Sequence, residues 1–143
     1  MAAEATIIEL IGKVPGCPIR FTCLDVSAIA KGALLQMTTG TIRQVVTHAA
    51  ADKSIVGKAA HEKVANDGST NITAWTNGIF DITAAAAGAT DIGHMVAGSA
   101  TVNMFTPADA NDLLQSSFIG NVLETTDNDE RVAVRVLTQH IGG

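Results

Sequence analysis

The sequence predicts an all-β fold: a small β-barrel, or a β-tulip-like or sandwich domain, made of two similar halves, with one short helix at about residues 107–116 and an N-terminal arm. Three observations predict it. First, two stretches follow one plan. One runs from Lys31-Gly32-Ala33-Leu34-Leu35 through Ser54-Ile55-Val56-Gly57-Lys58-Ala59 to Ile72-Thr73-Ala74-Trp75. The other runs from Ile92-Gly93-His94-Met95-Val96 through Ser117-Phe118-Ile119-Gly120-Asn121-Val122 to Val132-Ala133-Val134-Arg135-Val136. In each, an apolar strand after a glycine leads to an apolar-Gly step and then to an alternating strand. Second, the apolar residues, 47% of the chain, are largely Ala, Val and Ile, with one Trp, four Phe and no Tyr. Small branched side chains suit pleated sheets better than thick bundles. Third, short β candidates recur at regular spacing between turn signals with no βαβ rhythm, which favours a barrel or sandwich.

The elements follow in order. Residues 1–16 read as an arm: Ile7, Ile8, Leu10 and Ile11 fit either a helical stripe or a short strand, and Val14-Pro15-Gly16 breaks what precedes it. Residues 17–143 read as a single β domain, one domain's worth of chain. Residues 19–24, 33–37, 41–46 and 55–60 are apolar or β-branched runs, with Thr38-Thr39-Gly40 as a turn. Asn66-Asp67-Gly68-Ser69 is the clearest hairpin turn, which pairs residues 71–76 back on the preceding segment. Asn77-Gly78 is a second turn signal, before a strand over 79–83. Four alanines at 84–87 closed by Gly88 make a loop or a single helical turn. Residues 101–105 alternate, with Val102 and Met104 on one face. Thr106-Pro107-Ala108-Asp109 opens the helix, with Thr106 as cap and Pro107 at the first helical position. Strands follow over 118–123 and 131–137, joined by the polar turn 125–130. In the last, Val132, Val134 and Val136 face one side and Arg131, Ala133 and Arg135 the other, the pattern of a half-buried strand.

Composition and motifs weigh against chemistry. Nine Lys and Arg against fourteen Asp and Glu give a net charge of −5, which argues against nucleic acid as a partner. The N-terminus has no basic stretch before a long apolar core, and the apolar runs are short, so neither a signal peptide nor a membrane contact is expected. Gly57-Lys58 is not a phosphate loop, because Asp52 stands at the upstream glycine position and Ala59 where a hydroxyl belongs. His48, His61, His94 and His140 are dispersed without ligand spacing and read as surface or loop residues. Ser99 sits outside any nucleophile elbow. The acidic run 124–130 lacks the glycine and final glutamate of a calcium loop and reads as a solvated hairpin tip. Cys17 and Cys23 read as reduced thiols acting as small hydrophobes. Asn71-Ile72-Thr73 matches a glycosylation triplet with no secretion signal beside it. Trp75 reads as a core or inter-subunit plug. No cofactor, metal or enzymatic activity is expected.

Taken in order, the repeated elements resemble the small capsid decoration proteins, also called cement or head-stabilising proteins, of tailed bacteriophages and related viruses. Such proteins often carry a Gly-initiated strand, an apolar-Gly step and an alternating strand ending near Gly-aromatic, then a second such set. Here these are Lys31 to Leu35, Ile55 to Ala59, Ile72 to Phe80, Ile92 to Val96, Phe118 to Val122 and Val132 to Val136. An acidic residue often follows the strand-opening glycine in that family, whereas Ala33 and His94 stand here. The resemblance implies a structural virion protein, made in the host cytoplasm. It would bind the outside of an icosahedral capsid as a homotrimer and stabilise the shell by bridging major capsid protein subunits. Symmetric, multivalent contact suits that role. Ile7, Ile8, Leu10, Ile11 and Trp75 are the expected interface residues, the arm by adding a strand to a neighbour's sheet edge. The alternatives are another virion component, such as a fibre base or tail part, and a small-ligand or carrier β-barrel module. A carrier would present a lysine at a hairpin tip, but the tips here are 66–69 and 125–130.

Overall fold

The computed structural model describes residues 6–9, 18–38 and 43–138. Among them are β1 (Thr6–Glu9), β2 (Ile19–Thr22), β3 (Leu34–Met37), β4 (Val45–Thr47), β5 (Ile55–Ala59) and β6 (Asn71–Trp75). There follow β7 (Asn77–Ala84), β8 (Met95–Gly98), β9 (Met104–Pro107), α1 (Ala110–Gln115), β10 (Phe118–Val122) and β11 (Arg131–Leu137). The fold is all-β with a small barrel and one short helix.

Two lobes repeat one strand order. In lobe two the order is β7-β11-β10-β8-β9, and a parallel pairing of β9 back onto β7 closes the barrel. Lobe one has the order β2-β6-β5-β3-β4, and a parallel bridge from Thr22 to Gln44 joins its first strand to the start of its last. The repetition holds residue by residue. Leu35 faces Gly57 and Thr47, as Val96 faces Gly120 and Pro107. Lys58 faces Trp75 as Asn121 faces Arg135. The bridge Ile29 to Lys63 has its counterpart in Thr90 to Thr126. The amide of Gly32 donates to the Ala59 carbonyl, and that of Gly93 to the Val122 carbonyl, each at 2.8 Å. Both glycines hold positive φ, +81 and +87, where a side chain would be strained. The register of β3 on β5 and of β8 on β10 shifts at the apolar-Gly step, so Gly57 and Gly120 mark matching bulges.

Alternation fills each lobe. Leu35, Val45, Ala59, Ile72 and Ala74 form the interior of lobe one with Cys23, Ile29 and Ala33. Lobe two is filled by larger side chains, including Phe80, Ile82, Phe105, Ile119 and Val134. Leu34 and Ile55, on lobe one's outer side, join that second cluster, with Trp75 packed against it. The two lobes therefore share a core. β1 pairs antiparallel with β7, Ile7 opposite Phe80, as a strand added at the sheet edge of its own chain. Leu10 and Ile11, like Cys17, His140 and most of the turn at residues 38–40, lie outside the described residues. Cys23 is a free, buried thiol whose pKa is raised by burial.

Several local expectations change. Asn77-Gly78 is not a turn: both residues lie in β7, opposite Leu137 and Val136 of β11, and only Thr76 separates β6 from β7. Residues 101–103 are a turn and not the start of a strand, because Asn103 adopts φ +59. The helix starts later than Thr106-Pro107 suggests. Pro107 ends β9 opposite Val96, and Asp109 is the cap, accepting from the amides of Asn111 and Asp112 while Asp112 bonds back to the Asp109 amide. That reciprocal capping box outcompetes a proline start. The turn at 66–69 has the expected positive φ at Asn66 and Gly68. It lies, however, within a longer connection between β5 and β6 that first crosses to Ile29. The β11 alternation is as expected, with Val132, Val134 and Val136 buried.

Candidate interaction surfaces

The seam between the lobes is polar as well as apolar. The Leu34 amide donates to Oδ1 of Asn103 at 2.8 Å, and the Ile55 amide to the Ser116 carbonyl at 3.0 Å. His48 lies in the loop after β4, one of the two positions expected for it, but is wholly buried there and not on the surface. Its Nε2–H donates to the Ser99 carbonyl at 2.7 Å, and Nδ1 lies 3.1 Å from the Gln36 side-chain amide. The imidazole rests on Gly98, where a Cβ would come within 2.6 Å of its Cε1. Lys58, in β5, is also fully buried. Trp75 is half-buried at the end of β6, its indole N–H enclosed without a hydrogen-bond partner among the described residues.

Burial lowers the pKa of His48, and the nearby Lys58 charge lowers it further, against an opposing bond to Ser99. The folded chain thus holds this imidazole neutral to lower pH than the unfolded chain does. Its contribution is present above the ordinary value near 6.5 and is lost as pH falls through the folded value, because the unfolded state takes up the proton first. Urea midpoints are expected to drop between pH 7.5 and pH 5 in the unmodified protein and to drop less in His48→Gln. Equal drops in both would remove His48 from the explanation.

Each lobe has a groove at the same mouth. In lobe one, a groove of about 570 Å³ is lined by Ala30, Ala33, Thr47, Lys63 and Val64, with Asn103 of lobe two reaching its rim. Its counterpart in lobe two, about 390 Å³, is lined by Asp91, His94, Pro107, Thr126 and Asp127 at the matching positions. Lys63 ties off the first mouth, its Nζ donating to the carbonyls of Asp25, Ser27 and Val64 at 2.8, 3.2 and 3.1 Å and to Asp67 at 3.3 Å. The Asp67 carboxyl lies below its usual range, chiefly because the Ser69 amide donates to it, with Lys63 adding to the effect.

Apolar residues remain outside. Ile92, Met95 and Leu123 are 62, 41 and 37% exposed on the outer face of β8 and its flanks. On α1, Leu113 and Leu114 are 52 and 84% exposed, leaving Asp112 as its buried residue. Sequence reasoning marked none of these as surface contacts, nor the buried Lys63, and weighed Lys58 only in a phosphate loop that it rejected. The repeat itself carried the missing signal, since aligning the halves sets Met95 on Leu34 and Asn121 on Lys58. Of the marked residues, Ile7 and Ile8 fall in β1 and Trp75 at the end of β6, while Leu10 and Ile11 lie outside the described residues. His61 and His94 are exposed, and Ser99 makes a turn contact with Thr101. Among the described residues, no cluster of three His, Cys, Asp or Glu is placed to hold a metal, and no helix is long and apolar enough to cross a membrane.

No protein-family profile matches the sequence, and comparison with curated proteins finds no significant match. Among solved structures, the chain is similar to the head fiber gp8.5 N base of bacteriophage phi29, with a TM-score of 0.51 and 15% identity. The likeness covers 85% of this chain and 93% of that one. At that identity it is a likeness of fold.

Proposed function

We propose that this chain is a structural component of a bacteriophage virion, a two-lobed tile that attaches to the head and acts by contact and not by catalysis. The observation that carries the reading is the likeness to a head fibre N base along nearly the whole of both chains. The sequence plan supports the same class, since its resemblance is to capsid decoration proteins. The exposed apolar residues of β8 and α1 suit a protein whose product is adhesion. On this reading the partners are the major capsid protein and further copies of the chain, as a homotrimer, on the capsid exterior. Several weak contacts from one symmetric unit would hold by avidity.

Two finer roles share that attachment. As a fibre base, the tile anchors an appendage; as a decoration protein, it bridges capsid subunits and stiffens the shell. The fold likeness favours the first and the sequence resemblance the second. The test mixes the full chain with purified expanded capsids and reads co-sedimentation, expected to saturate at a fixed copy number. Protein left in the supernatant at micromolar concentration would overturn the proposal. Raised heat resistance of loaded capsids marks bridging, and unchanged resistance marks anchoring alone.

A further inference from the structure

We infer that the outer face of lobe two around Met95 takes lobe one of a second copy, repeating between chains the contact that joins the two lobes within one chain. The two lobes match residue by residue. On lobe one, the outer face of β3 and β5 carries Leu34 and Lys58, both fully buried, and Leu34 packs into the lobe-two cluster. The matching positions on lobe two are Met95, 41% exposed, and the half-buried Asn121, with Ile92 and Leu123 open beside them. One fold thus presents the same face twice, covered in one lobe and bare in the other. What covers it the first time is a lobe of this kind.

The grooves identify the occupant further. The lobe-one groove is completed by Asn103 of lobe two, a residue at φ +59 whose side chain bonds the Leu34 amide. The position that matches Asn103 in lobe one is Arg43. It has φ +57 and is exposed, its guanidinium 5.8 Å from the Phe21 ring centroid. A second copy docked in the same manner brings Arg43 to the lobe-two groove. There Asp91 and Asp127 stand where lobe one has Ala30 and Val64. The asparagine contact of the first seam is replaced by a cation facing two exposed carboxylates, a complementary pair that favours this register over the reverse. The contact is head-to-tail, so copies close into a ring if the rotation permits.

The inference rests on the self-association read above and supplies its surface. The experiment contains no capsid, so its failure leaves capsid attachment standing, and failure of capsid binding leaves the copy-to-copy contact standing. Solution mass of the full chain is measured against concentration for the unmodified protein, for Met95→Lys, and for Leu114→Lys as a control on α1. Association is expected in the unmodified chain, at least tenfold weaker in Met95→Lys and unchanged in the control. In a Cys17→Ser background, Met95→Cys and Arg43→Cys chains mixed with a short bismaleimide should cross-link to each other. A monomer at every concentration, an oligomer indifferent to Met95→Lys, or cross-linking of Met95→Cys chains only among themselves would each overturn the proposal.

Discussion

Replacing Phe105 by alanine is expected to lower the stability of the whole chain by about 3–5 kcal/mol, the usual cost of emptying an aromatic site in a packed core. Phe105 is wholly buried in the lobe-two cluster, beside side chains contributed by both lobes. Its counterpart is Val45, wholly buried in lobe one. Val45→Ala removes less volume and should cost about 2 kcal/mol by the transfer of two methyl groups and a smaller cavity. Because Leu34, Ile55 and Trp75 tie lobe one to the lobe-two core, the lobes should unfold together. Urea titrations read by Trp75 fluorescence and by far-UV circular dichroism should then show one coincident transition in all three proteins, displaced to lower urea in each variant. Two separated transitions, with Phe105→Ala moving only one, would mean that the shared core does not couple the lobes.

The parts of the fold legible in the sequence are those specified by local alternation. β11 is the plainest case: valine at every second position from 132 to 136 implies one buried face, and all three are buried. The doubled apolar-Gly plan was equally legible, because a glycine flanked by branched residues has few other reasons to recur in the same order. What was hidden depends on partners distant in sequence. Asn77-Gly78 carries a strong turn signal, yet seven consecutive pairings between β7 and β11 hold it extended. Pro107 suits a helix start, but Val96 takes it into a sheet and leaves the cap to Asp109. His48 and Lys58 look like surface residues in any local window. His48 is buried because its ring lands against Gly98 and Ser99 of the second lobe, and no single repeat encodes that docking. The same reason hid the candidate surface around Met95, which becomes visible only when the covered face of one lobe is laid over the bare face of the other.

The glycines give the sharpest test of the repeat. Gly120→Ala is expected to cost roughly 3 kcal/mol or more, at the upper end for added volume in a packed site. A Cβ there would overlap the Arg135 carbonyl oxygen and come within 2.9 Å of its carbon and 3.2 Å of the Val136 Cα. These are backbone atoms of the paired strand, so no rotamer change relieves them; β10 must move away from β11. Gly57→Ala should behave alike, since its Cβ would overlap the Trp75 carbonyl oxygen and sit 3.4 Å from the Thr76 Cα. Gly93 offers the contrast. It holds φ +87, but nothing lies within 4 Å of an added Cβ. Gly93→Ala therefore meets conformational strain alone, about 1 kcal/mol. Urea midpoints should fall far more in the first two variants than in the third. If Gly120→Ala and Gly93→Ala lose the same stability, close strand approach is not what the apolar-Gly step provides, and the repeated glycines would have to be explained by turn geometry instead.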